Sequence, residues 1–332
     1  MGNDPKTMNM QEKSRKQNYL FLIAKIFFTL GAIGWFVSTI QLDELIEKLT
    51  NINWMVVGFS FLVFLACLIP CSFRWMLIAK LCGFTISFST SIRNYLIGIF
   101  FDAFLPTGKG GDVVRGVLTS RQYGYSLGGV LTTIFVERFT GLIVALFIVI
   151  IACLITLSDI IEFKNVLISA VILMSCLAGV TIVFFNTVFR KYLNKIIYKL
   201  PFKKLREAAD DVILVLDICW GNLRVILSAG VLSLINQLII IVSAYIMAIA
   251  IPDFGASWYA FPIVIPLIFI SALLPSIGGY GIREAGFVLF FGWFGVNEES
   301  AAVFGIFRLF FFWFFSATGA ILFVLAKKGK DG

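Results

Sequence analysis

The sequence predicts an all-α polytopic membrane protein of about six full transmembrane helices plus two Gly/Pro-broken re-entrant hairpins, arranged as an inverted repeat. Three observations predict it. Of the 332 residues, 60% are hydrophobic and only 14% charged, whereas soluble domains run at about 45 to 50% and about 25%. Apolar runs such as Leu20–Ile40 and Ser300–Ala326 exceed the roughly 20 residues a helix needs to cross hydrocarbon. Basic residues gather at the two ends and in one central loop, which is the pattern of the positive-inside rule.

Residues 1–19 are polar and basic, with Lys6, Lys13, Arg15 and Lys16 ahead of the first apolar run. That run is too long for a signal-peptide core and lacks a small-residue cleavage pattern before Asp43, so it reads as a retained span. Lys327, Lys328 and Lys330 follow the last span in the tail 327–332. Both termini are therefore expected in the cytoplasm of a cell (plasma) membrane protein, and the number of full crossings is even. The basic loop 187–211 is expected on the same side, because it holds Arg190, Lys191, Lys195, Lys199, Lys203, Lys204 and Arg206.

From the inside, Leu20–Ile40 goes out, Trp54–Phe73 returns, Ser126–Leu157 goes out and Val166–Phe185 returns. After the basic loop, Leu223–Ile251 goes out and Ser300–Ala326 returns. Two apolar regions remain, Tyr95–Gly116 and Trp258–Gly295, each broken by Pro and Gly and each flanked by charges of one side. Parity makes them loops that enter and leave by the same face. The order span, span, re-entrant loop, span then occurs twice with direction reversed, giving approximate repeats 20–157 and 166–326 within the domain 20–326. Pro106 and Pro275 sit 169 residues apart, about half the chain.

The first break, FLPTGKGGDVVR, contains Pro106, Gly108, Gly110, Gly111, Asp112 and Arg115; the second, LLPSIGGYGIREAG, contains Pro275, Gly278, Gly279, Gly281, Arg283 and Glu284. Non-helical backbone at membrane depth is tolerated only inside protein or beside a watery cavity. The half-helix starting near Gly111 is expected to aim free N–H groups at that cavity, where an anionic head group would suit the positive dipole end. Arginine can clasp a phosphate with two hydrogen bonds. Surface loops whose charges face water are the plainer alternative.

Glu137 and Arg138 lie within the third span, where charge costs about 2.5 to 3.5 kcal/mol per residue on insertion scales. They either face the cavity or form an ion pair locking helix to loop. Arg74 and Lys25 lie near span ends and could snorkel. Arg308 in the last span, and Asn236 with Gln237 in the fifth, line a path or bond between helices. The segment Phe189–Leu200 has apolar residues at helical spacing with lysines between, the pattern of a basic amphipathic helix on the inner leaflet. Gly124 and Gly128 form a G-x-x-x-G that serves packing within one chain or between two.

Other chemistries are disfavoured. There is no histidine, which removes Ser-His-Asp triads and His-based zinc sites. The six cysteines lie mostly in apolar runs without a C-x-x-C and read as core residues. No cofactor and no metal are implied, and the net charge of +8 reflects topology, with no nucleic acid as partner. Asp102 and Asp112 invite comparison with two-aspartate intramembrane proteases, but Lys109 breaks the G-x-G-D pattern and both come from one short loop.

Arg74-Trp75, the P-x-G-x-GGD-x-x-R segment ending at Arg115, Glu137-Arg138, and P-S-x-GG-x-G-x-R-E ending at Glu284 together resemble the flippase-like family, the transmembrane region of lysylphosphatidylglycerol synthases. The resemblance runs from about Leu20 to Ala326. It implies movement between leaflets of a lipid with a polar or charged head group: an anionic or aminoacylated phospholipid, or a polyprenyl-phosphate lipid. The full-length synthases also carry a soluble aminoacyl-transferase domain, and the sequence to Gly332 shows none, so no enzyme activity is expected. The substrate path would use Arg115 and Arg283 for phosphate. Asp112, Glu137 and Glu284 would balance charge, receive an amino group or carry a proton, and Arg138 and Arg74 would stand beside them. A carrier of small solutes, or a membrane partner of a lipid-synthesising enzyme, are the rival readings; self-association is left open.

Overall fold

The computed structural model describes residues 30–31, 34–35, 38, 40–105, 110–156, 161–185, 203–271 and 278–328. They are helical, with no strand among the described residues. The helices are α1 (Leu42–Thr50), α2 (Trp54–Leu65), α3 (Leu68–Leu81), α4 (Phe88–Phe104), α5 (Gly110–Tyr123), α6 (Leu127–Thr156), α7 (Ile161–Phe185), α8 (Lys203–Gly221), α9 (Leu223–Ala250), α10 (Phe261–Ser271), α11 (Ile282–Gly292) and α12 (Glu298–Lys328). Most of the expected first span, the amphipathic segment at 189–200, Pro106 and Pro275 lie outside the described residues.

Four helical stretches are long and apolar enough to cross a membrane: Trp54–Leu81, Leu127–Thr156, Leu223–Ala250 and Glu298–Ala326, of 28 to 30 residues. At 1.5 Å per residue each reaches about 42 to 45 Å, beyond the ~30 Å hydrocarbon core. The helix α7 coincides with the expected fourth span and has 25 residues.

The second span departs from its sequence boundary. It was expected to close at Phe73, ahead of Arg74, yet helix continues to Leu81, interrupted only at Ala66–Cys67. The interruption has a local cause in Pro70, which offers no N–H and whose ring crowds the carbonyl of Ala66 four residues earlier. The continuation past Arg74 is possible because that arginine finds a carboxylate inside the protein.

Both predicted breaks are interruptions between paired helices. α4 packs on α5, with residues 105–109 between them in the sequence, and α10 packs on α11, with residues 272–281 between them. Gly278, Gly279 and Gly281 all have positive φ, +61°, +77° and +76°, a conformation glycine adopts without the Cβ penalty. The tight turn into α11 rests on them.

The packing crosses between the two halves. The hairpin helix α4 lies on α12, the last helix of the second half, while its counterpart α10 lies on α6, the last helix of the first. Helices α2 and α3 pair with α9. Approach is close enough at α4 to exclude side chains: a Cβ on Gly319 of α12 would sit 2.0 Å from the Leu96 carbonyl oxygen. The largest buried cluster joins α2, α9, α10, α11 and α12 and is rich in phenylalanine, with Phe254, Phe291 and Phe304 in edge and tilted contacts at 5.0 to 5.6 Å.

Candidate functional site

Five charged side chains from three helices, α3, α5 and α6, meet beside the first hairpin. Glu137 of α6 is fully buried, and Arg74 of α3 and Arg115 of α5 are 4% and 1% exposed. Arg74 donates through Nη2 to Glu137 Oε1, and Arg115 Nη2 donates to Glu137 Oε2 at 2.7 Å. One carboxylate therefore holds two arginines. The neighbouring residue Arg138 points about 100° further round α6 and clasps Asp112 with two hydrogen bonds, Nε to Oδ2 at 2.9 Å and Nη2 to Oδ1 at 2.8 Å. Asp112 also lies 3.6 Å from Arg115, closing the circuit between α5 and α6.

Neutral groups complete the cage. Arg74 Nη1 donates to Ser233 Oγ of α9 at 2.9 Å. The Arg115 guanidinium lies over the rings of Tyr95 and Trp75, 4.0 and 4.4 Å from their centroids, a placement that suits a desolvated cation. Trp75 Nε1 in turn donates to Thr133 Oγ1 at 3.2 Å. Arg115 Nε and Nη1 and Arg74 Nε have no hydrogen-bond acceptor, so the rings and the carboxylates carry the compensation.

The start of α5 differs from its sequence expectation. Instead of presenting free N–H groups to a ligand, Gly111 N–H donates to Asp102 Oδ1 at 2.8 Å. The cap comes from α4, which runs so close that a Cβ on Gly111 would sit 1.9 Å from the Gly98 carbonyl oxygen. Gly110, at the first position of α5, is buried. Asp102, considered at the sequence only as a protease candidate, thus holds one hairpin helix to the other. Asp102 and Asp112 have separate partners and do not face each other as a shared-proton pair would.

The second hairpin is organised differently. Glu284 Oε2 accepts from Gly281 N–H at 2.8 Å, capping its own helix. Arg283 donates through Nη2 to the Gly278 carbonyl at 3.0 Å and stacks over Phe312 of α12, 4.4 Å from the centroid. No ion pair to Arg283 or Arg308 occurs among the described residues. The two hairpins touch at their breaks: a Cβ on Gly278 would sit 3.0 Å from the Ala103 carbonyl oxygen of α4.

The structure thus brings Arg74, Asp112, Arg115, Glu137 and Arg138 into one network and sets Arg283 and Glu284 in another. Ser233, Trp75 and Tyr95 are parts of the first that the sequence reading did not assign. The tandem Arg74-Trp75 did not signal the stacking, since Trp75 takes Arg115 as its cation and neighbours in a helix do not face each other. Asn236 accepts from the Cys71 thiol at 3.3 Å, an interhelical bond of the kind expected for the fifth-span amides.

Residues 22–319 match the family model described as "Lysylphosphatidylglycerol synthase TM region". The chain belongs to this family. The resemblance read from the four motifs is borne out, and with several long apolar helices the family places the protein among multi-pass membrane proteins. A UPF0104 membrane protein, MJ1595, of Methanocaldococcus jannaschii is 27% identical over 129 residues, 39% of this chain. The matched region spans 37% of that relative's own length.

Proposed function

We infer that the protein moves a polar-headed lipid between leaflets along a path between the two broken hairpins. The observation that carries this reading is their contact: Gly278 at one break lies against Ala103 at the other. Irregular backbone is thereby gathered inside the protein, where transporter sites are built. The crossed packing, α4 on α12 and α10 on α6, is what an inverted repeat of six crossings and two re-entrant hairpins would produce. In this reading both termini and the basic loop face the cytoplasm of the plasma membrane, and the protein is a transporter without enzyme activity.

The surroundings of the second hairpin favour a lipid over a water-soluble solute. A groove of about 310 Å³ opens between α6, α7, α10 and α11, lined by Leu146, Val166, Leu173, Leu267 and Phe290, among others. A second of about 210 Å³ lies on the other side of α6, between it and the start of α10. Both are almost wholly apolar, and acyl chains could lie in them while a head group passes the hairpins. Arg283 is the choice for phosphate by geometry, since no carboxylate forms an ion pair with it among the described residues, while Arg115 is already held by Glu137. Substrates compatible with this reading are anionic or aminoacylated phospholipids and polyprenyl-phosphate lipids; a second copy or a lipid-synthesising enzyme are the protein partners it admits.

The test is leaflet exchange in proteoliposomes of phosphatidylcholine doped with fluorescent phosphatidylglycerol, read by quenching of the outer leaflet. Protein-containing vesicles should lose more than the outer half of the signal, and protein-free vesicles only that half. Equal quenching in both, repeated with an aminoacylated and a polyprenyl-phosphate probe, would remove the lipid-transport reading.

A further inference from the structure

Helices α3 and α8 belong to opposite halves of the chain and pack on each other. A small buried cluster sits at this junction: Ile78 of α3, Val136 of α6, Val215 and Cys219 of α8, and Ala229 of α9, with Cys82 packed against it. Two of the six cysteines thus share one cluster, and their thiols are hydrogen-bonded to each other. Such a bond makes the two sulfurs direct neighbours.

Each thiol sits at a helix end. Cys82 caps α3, its N–H donating to the Ala79 carbonyl at 3.0 Å, and the next residue, Gly83, turns the chain away at φ +81°. Cys219 stands in the last turn of α8, one turn beyond Val215 on the same face, and its carbonyl accepts from Asn222 N–H at 3.2 Å. Helix ends fray where helix interiors do not, so these two can settle at the Cα spacing of about 4.4 to 6.8 Å that a disulfide needs.

Burial divides the pair. Cys219 is 3% exposed, whereas Cys82 is partly open at the surface. An accessible cysteine beside a sheltered one is the arrangement of an attacking thiol and a resolving thiol. In the topology proposed above, Cys82 follows the second span and Cys219 precedes the fifth, which sets both at the cytoplasmic side. The glutathione pool there keeps such a pair reduced at rest.

We propose that Cys82 and Cys219 form a reversible disulfide that ties α8 to α3 when the surrounding thiol pool is oxidised. The oxidant is a small disulfide of the glutathione class. The Cys82 thiolate attacks one of its sulfurs, forming a mixed disulfide and releasing the first small thiol. The Cys219 thiolate then attacks the Cys82 sulfur and releases the second. Two cysteine sulfurs give up two electrons to the oxidant, and their two protons end on the two small thiols. The tie joins the two halves of the chain, because α8 leads directly into α9, and it stands whatever the protein moves.

The experiment equilibrates the full chain in detergent with reduced and oxidised glutathione at a series of ratios, then alkylates it with N-ethylmaleimide under denaturing conditions for intact mass and unreduced peptide mapping. Wild type should lose two of its six alkylatable thiols, give a peptide linking Cys82 to Cys219, and regain both thiols with dithiothreitol. In Cys219→Ser one glutathione should remain on Cys82, and in Cys82→Ser the buried Cys219 should take none. All six thiols alkylated at every ratio, a lasting glutathione adduct on wild-type Cys82, or a link to Cys176, the exposed cysteine of α7, overturns the proposal. Linked wild type should also melt at a higher temperature than reduced wild type, since a bond between distant positions restricts the unfolded chain. Cys82→Ser should show no such oxidation-dependent shift. Linked protein that melts no higher than reduced protein would mean that the bond forms only from an opened state, and overturns the assignment as well.

Discussion

The two hairpins are matched in packing and opposite in electrostatics. Around the first, Glu137 and Asp112 hold three arginines, and each oxygen of these two carboxylates has a cationic partner. Around the second, Arg283 and Arg308 meet aromatic rings instead of carboxylates, and Glu284 serves its own helix. A pair of similar motifs can thus be spent on different tasks. One set of charges fastens helices together, and the other is held by aromatic rings and by the turn into its own helix.

The comparison breaks most visibly at Glu137. Glu137→Ala would leave Arg74 and Arg115 buried without their shared counter-charge, and removing one partner of a buried pair typically costs about 3 to 5 kcal/mol. Thermal unfolding in detergent should show a large drop for this variant, and one near zero would mean that the first network is not a lock. Gly319→Ala should follow, since its methyl would meet the Leu96 backbone at 2.0 Å and overpacking of this kind costs about 1 to 3 kcal/mol. A melting temperature equal to wild type would show that α4 and α12 are not held at this distance.

At the second hairpin the expected sign is different. Arg308→Gln removes a charge with no ion pair among the described residues, so stability in lipid-free detergent should change by less than about 1 kcal/mol or improve. A loss as large as that of Glu137→Ala would erase the distinction between the two regions. A modest loss is expected at Thr133→Val, which removes the acceptor of the Trp75 indole and should cost about 1 kcal/mol. A larger loss would place the cation-stacking wall among the main supports of the lock.

Much of the helix pattern was legible because lipid enforces it. Backbone groups in hydrocarbon must bond within their own segment, so the apolar runs at 127–156 and 223–250 match their predicted spans within a residue or two. The exception at Arg74 has the same physics in reverse: a buried carboxylate 63 positions away lets the helix continue through a charge. No local pattern reveals that partner. Glu137 and Arg138 were visible as charges in a span, but which arginine each carboxylate would take depends on how α3, α5 and α6 meet. The cap on Gly111 was hidden for a related reason, since it exists only when α4 folds back over the start of α5.

The adjacency of Glu137 and Arg138 also has a mechanical consequence. One turn of α6 is tied to α3 through Arg74 and to α5 through both Arg115 and Asp112, so those three helices cannot slide or roll past one another without breaking buried ion pairs. They form a stator. A working cycle that spares these bonds has to place its motion at α10 and α11, where no ion pair tethers the glycine turn among the described residues.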